Sequence, residues 1–255
     1  MNWQKKRMER SLADMLRIEG RVALITGGAG HLGGTIALGL AELGANIVIL
    51  DLKREDAEIL ADDIRARFGV QVSVFIADLE QELEVGDVLN NLNAIHQRLD
   101  ILVNCAALVG SSDLVGWNAP FYNQSLNAWR RALEINLTAP FSLVQRCLPL
   151  LEQSQHASII NIASIYAVVG PFTPLYEGLD LNNPAGYSVS KGGLVQLTRW
   201  LATTLAPKNI RVNCLSLGGI ERNQPETFRQ RYSAQTPLRR MGREEDDKRT
   251  VAFLA

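Results

Sequence analysis

From Val22 onward, short β-branched runs alternate with longer stretches whose apolar residues recur at three- and four-residue spacing. The runs 22–26, 46–51, 71–76, 101–104, 158–162 and 211–215 read as strands. Several are apolar at every position rather than at every second one, as a strand covered on both faces requires. Between them, the periodicity predicts helices that begin near His31, Arg54, Glu84, Leu126, Tyr187 and Pro225.

Strict alternation of strand and helix is the signature of parallel strands joined by crossover helices. With a glycine-rich turn after the first strand, it predicts an α/β fold: a Rossmann-type, doubly wound parallel sheet in a three-layer α/β/α sandwich. The ligand crevice of such a sheet lies at the carboxyl ends of its strands. No repeat, low-complexity tract or Gly/Ser linker divides the chain, so residues 21–255 are expected to form a single catalytic domain behind an N-terminal extension, residues 1–20. That extension mixes charge with Leu12, Met15, Leu16 and Ile18 at near-helical spacing. Either it packs on the body or on a partner subunit, or it presents a solvated or anion-facing helix surface.

Composition narrows the class of ligand. With 26 Lys plus Arg against 27 Asp plus Glu, the formal charge is -1, which excludes the broad basic surface of a nucleic-acid binder and leaves a small molecule as the expected partner. No apolar run approaches the roughly 20 residues that cross a bilayer, and the amino-terminal stretch lacks the apolar block of a secretion signal. Cys105, Cys147 and Cys214 are odd in number, far apart and in apolar surroundings expected to be buried, which points to a reducing compartment, the cytoplasm. Neither they nor His31, His96 and His156 show metal-ligand spacing, so no metal is expected.

The first strand runs into Thr26-Gly27-Gly28-Ala29-Gly30-His31-Leu32-Gly33 and then a helix. Gly27, Gly30 and Gly33 allow a tight turn, and the backbone through His31 and Leu32 is placed to meet a pyrophosphate at the helix N-terminus. Asp51, followed by Leu52, ends the second strand about 20 residues beyond the turn, where a carboxylate accepts hydrogen bonds from an adenosine ribose. It is equally placed to organise the start of the helix at Arg54. Because a carboxylate repels a 2′-phosphate, NAD is favoured over NADP, with Lys53 and Arg54 pulling the other way. Asp78 and Leu79 after the third strand, and Asn104 and Ala106 around the end of the fourth, are expected on the adenine side.

Tyr187-Ser188-Val189-Ser190-Lys191 opens a helix, and residues four apart project from one face. An ammonium beside a phenol favours the phenolate and draws its pKa down from about 10, as acid–base catalysis needs. Ser164 follows the fifth strand and puts a hydroxyl at the sheet edge. Asn136 sits in the apolar context Glu134-Ile135-Asn136-Leu137, either with a buried task or as a satisfied core amide.

Together these residues resemble the short-chain dehydrogenase/reductase family over roughly residues 19–255. The resemblance implies that Tyr187 is the general acid/base and that Lys191 lowers its pKa and binds the nicotinamide ribose. It also implies that Ser164 orients the substrate oxygen, that Asn136 holds a proton-passing water, and that Gly218 and Ile220 flank the nicotinamide. Such enzymes are expected as homo-dimers or homo-tetramers.

The chain departs from the classical family pattern in several places. His31 occupies the middle glycine of TGxxxGxG, giving the TGxxGxxG spelling of members acting on nucleotide sugars. Leu217-Gly218 stands where Pro-Gly is usual. Residues 170–178 look inserted between Ser164 and Tyr187, and residues 111–122, with Trp117 and Phe121, form a second long loop. These loops either wall a pocket for a large or polar substrate or plug small cores of their own. The family resemblance implies a seventh strand and a glycine-rich tail beyond Ala255; either the sequence is truncated there or the tail is disordered, and only a chain lacking that strand would leave one sheet edge open. The leading expectation is hydride transfer between NAD(H) and a secondary alcohol or ketone, with the TGxxGxxG turn and the long loops pointing to a sugar or sugar nucleotide. The alternatives are a 3-oxoacyl-type keto reductase and a non-catalytic dinucleotide-binding sensor or assembly subunit.

Overall fold

Val22–Thr26 (β1), Asn46–Asp51 (β2), Val72–Ile76 (β3), Ile101–Asn104 (β4), Ser158–Ser164 (β5) and Arg211–Leu217 (β6) pair side by side, all parallel, in the order β3-β2-β1-β4-β5-β6. This is a computed structural model, describing residues 11, 14, 16–109 and 114–255. Leu12 and Met15 of the extension, and residues 111–113 of the first long loop, lie outside the described residues. The chain steps outward from β1 to β3, then returns across β1 to lay down β4, β5 and β6. That reversal opens a crevice at the carboxyl ends of β1 and β4. Thr26 is paired with Leu50 on one side and Asn104 on the other, so Gly27, Asp51 and Cys105 lie together at one edge of the sheet.

Both faces of the sheet are buried, which explains strands without alternation. Leu24, Val48, Leu102 and Ile159 face one layer, meeting Leu92 of Glu82–His96 (α3), Leu143 of Ala139–Leu151 (α5) and Leu201 of Ala185–Leu205 (α6). Their neighbours Ala23, Ile25, Ile47, Ile49 and Ile160 face the other layer, formed by His31–Glu42 (α1), Arg54–Phe68 (α2) and Glu244–Leu254 (α8). Leu126–Leu133 (α4) leads into α5 through one wide turn, Glu134–Thr138, with π-type hydrogen bonding. Glu226–Gln235 (α7) follows β6.

The structure differs from the pattern reading chiefly at element ends. β5 and β6 each run two residues further, because Ser164 still pairs with Leu217 although Ala163 and Ser164 lack β-branching. β3 starts at Val72, α3 at Glu82 and α6 at Ala185. Helix α8 has no predicted counterpart. Four acidic residues fill its first turn, where they suit the helix dipole, and Val251 is its one buried apolar side chain, so periodicity carried little signal. In the extension, Ile18 is buried in the α1–α2 core and its N–H donates to the Leu43 carbonyl.

Candidate active site

The glycine-rich turn is built so that side chains cannot fill it. Gly27 has a φ of +60°, and a Cβ there would lie 2.9 Å from the Cα of Ala106. A Cβ on Gly33 would lie 2.1 Å from the carbonyl oxygen of Gly27. Among the described residues no side chain caps α1, and no acidic residue occupies its first turn, so its leading N–H groups are left to serve as an anion cradle. A dinucleotide pyrophosphate fits those features. Thr26 Oγ1 accepts from the N–H groups of Cys105 and Ala106, both at 3.1 Å, which fixes the exit of β4 against the turn.

Asp51 organises the same turn from the far side. One carboxylate oxygen accepts from Ala29 N–H at 2.9 Å, and the other from Leu52 and Lys53 N–H at 2.7 and 3.1 Å. Gly27, Gly30, His31, Leu32, Gly33, Asp51, Ala106, Ser164, Tyr187, Lys191, Gly218 and Ile220 all line one cleft of about 480 Å³. Five other expected positions do not line it, Asn136 among them. Leu52 is exposed, Asp78 Oδ1 accepts from Glu80 N–H, Leu79 packs on the core, and the buried Asn104 amide donates to Asn161 Oδ1 at 2.8 Å. A larger hollow of about 790 Å³ lies at the opposite, amino-terminal edge of the sheet, among Arg17, Glu19, Arg98 and His156, far from these groups.

Ser164 ends β5, and Tyr187 and Lys191 stand one turn apart on α6. The Ser164 hydroxyl beside the Tyr187 phenol favours its ionised form, but burial outweighs this and, with Tyr166 nearby, pushes the phenol above its ordinary pKa. Lys191 is 3% exposed; burial brings its pKa down to about 8, and Nζ donates to the carbonyl of Ile162 at 2.6 Å. The direction differs from the sequence expectation that Lys191 draws the Tyr187 pKa down, because desolvation of the phenolate is the largest influence on the phenol.

Asn136 is fully buried in the wide turn between α4 and α5. Its Oδ1 accepts from Leu108 N–H at 2.7 Å, and Nδ2 donates to the Leu108 carbonyl at 3.2 Å and to Ser190 Oγ at 3.1 Å. A π-type turn widens the helix enough to aim this amide at the β4 exit loop and α6 together.

The two long loops part company. Residue Trp117, 1% exposed, packs with Ala128 and Ala132 and abuts Tyr187, so it is a core plug, whereas Phe121 is 81% exposed. The first loop reaches the cleft through Asn118, and the inserted segment lines it through Tyr176, whose hydroxyl shares a 2.8 Å hydrogen bond with that of Tyr166. It is held by Leu175, buried with Phe228, Tyr232 and Met241, and by Arg231, which donates to the Glu177 carbonyl at 2.6 Å. Tyr232 in turn accepts from Gly219 N–H at 2.5 Å, tying α7 to the loop after β6. Tyr166, Tyr176, Tyr232 and Arg222 all line the cleft and were not singled out from sequence. Tyr166 stands two residues past Ser164, which was the available signal. Cys105 and Cys214 are half-buried rather than buried, and burial pushes the cleft-lining Cys105 thiol up to about 11.

A doubly wound parallel sheet with a glycine cradle and a Ser-Tyr-Lys set at one carboxyl edge defines an oxidoreductase of the dinucleotide-binding type. The chain belongs to the short-chain dehydrogenase family, whose model matches residues 21–232. It is 29% identical over 243 residues to the 3-oxoacyl-[acyl-carrier-protein] reductase of Aquifex aeolicus, covering 94% of this chain and 91% of that protein. It is 33% identical over 251 residues to the rhamnolipids biosynthesis 3-oxoacyl-[acyl-carrier-protein] reductase of Pseudomonas aeruginosa, covering 93% and 90%. Its fold matches NAD+-bound xylitol dehydrogenase with a TM-score of 0.82 at 29% identity, over 93% of each chain. Among the described residues, no helix is long and apolar enough to cross a membrane, and no three metal-ligating side chains converge.

Proposed function

We propose that this protein is an NAD-dependent dehydrogenase/reductase that interconverts a secondary alcohol and a ketone on a polyhydroxylated, sugar-like substrate. The observation that carries the reading is the convergence of Ser164, Tyr187 and Lys191 with the glycine cradle and Asp51 in one cleft. Bound there, the nicotinamide would supply or take up the hydride. Ser164 Oγ holds the substrate oxygen, and Tyr187 Oη gives it a proton in reduction and removes one in oxidation. Lys191, anchored on Ile162, keeps a cation at the base of the cleft. Asn136 acts through others, pinning Leu108 and Ser190 so that the cleft floor and α6 keep their spacing. The Asp51 carboxylate beside the glycine turn supports NAD over NADP, since it would repel a 2′-phosphate. Asp78, Leu79, Asn104 and Leu52 serve as supports of the adenosine side.

Support for a hydroxylated substrate comes from the paired phenols of Tyr166 and Tyr176, two hydroxyls facing the cleft beside Tyr187. Likeness to NAD+-bound xylitol dehydrogenase points the same way. Similarity to two 3-oxoacyl-[acyl-carrier-protein] reductases favours a second reading, a 3-oxoacyl-type keto reductase. We further take residues 21–255 as one catalytic domain working in the cytoplasm as a homo-dimer or homo-tetramer; exposed Phe141, Val189 and Trp200 on α5 and α6 are apolar surface for such an assembly.

The test follows reduced-nicotinamide absorbance with NAD(H) and NADP(H) against polyols, ketoses and 3-oxoacyl thioesters. Turnover of polyols or ketoses upholds the first reading, and turnover of 3-oxoacyl thioesters alone moves the assignment to the second. If wild type and Tyr187→Phe are equally inert yet bind dinucleotide, the protein is a binding module.

A further inference from the structure

We propose that Arg222 is a ligand for the cofactor pyrophosphate, and that Glu244 occupies Arg222 and His31 until that anion displaces it; this rests on the dinucleotide reading above. Arg222 lines the same cleft as Gly27, Gly30 and Gly33. Cys105 lines that cleft too, and its thiol feels the positive charge of Lys191 and, more weakly, of Arg222. On its outer side, Arg222 Nε lies 3.6 Å from Glu244 Oε1, and His31 Nδ1 lies 3.8 Å from the same oxygen. Thr35 of α1 donates to the other Glu244 oxygen at 3.3 Å. One carboxylate thus faces two basic side chains at the first turn of α1, the place where the uncapped helix N-terminus favours an anion.

The arrangement is set by backbone rather than by the ion pair itself. Gly242 N–H donates to the Gly219 carbonyl at 2.9 Å, and Glu221 N–H donates to the Gly242 carbonyl at 2.8 Å, so the loop carrying Arg222 is clipped to the segment entering α8 and Glu244. Gln224 closes the loop from below, accepting from Arg222 N–H at 2.7 Å and donating to the Ile220 carbonyl at 2.8 Å. The Arg222–Glu244 ion pair is longer than a hydrogen bond and part-exposed, and the His31 contact is longer still and on the surface; such contacts are weakly held and screened. A pyrophosphate carries more charge and offers a guanidinium two parallel acceptors, so it outcompetes a single half-exposed carboxylate.

Equilibrium titration of the full chain with NADH and NADPH, read by fluorescence or calorimetry, tests this. Arg222→Gln is expected to raise Kd for both dinucleotides about tenfold and to flatten the dependence of Kd on NaCl, with an unchanged melting curve. Arg222→Lys, which keeps the charge and loses the fork, should fall between, and it serves as the probe if the Gln variant melts early. Glu244→Gln should tighten both dinucleotides a few-fold. Unchanged Kd and salt dependence in Arg222→Gln overturns the proposal, as does a loss confined to NADPH, which would place Arg222 at the 2′-phosphate. Wild type that binds neither dinucleotide defeats the oxidoreductase reading itself, whereas tight wild-type binding with an indifferent Arg222 defeats only this inference.

Discussion

Lys191 donates to the carbonyl of Ile162 at 2.6 Å, two residues before Ser164 on β5, so one buried ammonium staples α6 to the strand that carries the catalytic hydroxyl. That ammonium pays for its burial with a pKa lowered to about 8. A lysine whose folded pKa is depressed destabilises the fold fully below that value, and the penalty fades as pH rises towards the unfolded value near 10.5. Lys191→Met should therefore raise the melting temperature at pH 7 by the equivalent of about 2 kcal/mol, with an advantage that shrinks between pH 8 and 10, while turnover is lost. Melting curves across that range check it; a variant less stable than wild type at pH 7 would show that the Ile162 bond outweighs desolvation.

Tyr187→Phe should lower kcat by about 10²–10⁴-fold, the usual range for a proton-transfer residue, with dinucleotide affinity kept within a factor of three or so. Since burial pushes the phenol up, oxidation, which needs the phenolate, should quicken with pH through the alkaline range. A flat profile for alcohol oxidation between pH 7 and 10 speaks against that role.

Asp51 accepts three backbone hydrogen bonds, from Ala29, Leu52 and Lys53. Asp51→Ala is thus expected to weaken NADH binding, narrow the gap to NADPH, and cost about 1–3 kcal/mol of stability. Parallel titrations and denaturant melts separate the two effects. Wild type that already prefers NADPH contradicts the role assigned to this carboxylate.

Gly33→Ala places a methyl 2.1 Å from the Gly27 carbonyl oxygen, a backbone atom that cannot step aside without opening the turn. The expected result is a loss of at least about 2 kcal/mol in stability and more than tenfold in dinucleotide affinity. Gly69→Ala is a useful contrast: its surroundings are open, and any cost there comes from its φ of +67° alone.

Asp247, buried in the first turn of α8 beside Asp246 and Glu244, has its pKa raised to about 6, chiefly by burial. Its Oδ2 has no hydrogen-bond partner among the described residues. The ionised form is disfavoured in the fold, so the penalty is absent below pH 3.8 and complete above about 6. Asp247→Asn should stabilise the protein at pH 7 by about 2 kcal/mol and make little difference near pH 4, which thermal melts at the two pH values will show.

Much of the architecture is legible in residue order. Apolar runs without alternation announce strands buried on both faces, and their strict alternation with helices leaves a doubly wound sheet as the economical arrangement. The glycine turn, Asp51, Ser164 and the Tyr187–Lys191 pair also declare themselves, because each lies at or just beyond an element boundary where spacing alone puts it on the carboxyl edge. Helix α8 stayed hidden because its pattern is polar and its place comes from packing on α1.

The order of residues along the chain therefore determined the sheet, its winding and the edge where chemistry gathers, since these follow from local periodicity and short-range geometry. Contacts between segments distant in sequence are decided only by the folded chain. The Tyr166–Tyr176 pair, the approach of Arg222 and Glu244 to the glycine turn, and the direction of the Tyr187 pKa belong to that second group. Burial and through-space charge set these features, and neither quantity exists until the layers have closed.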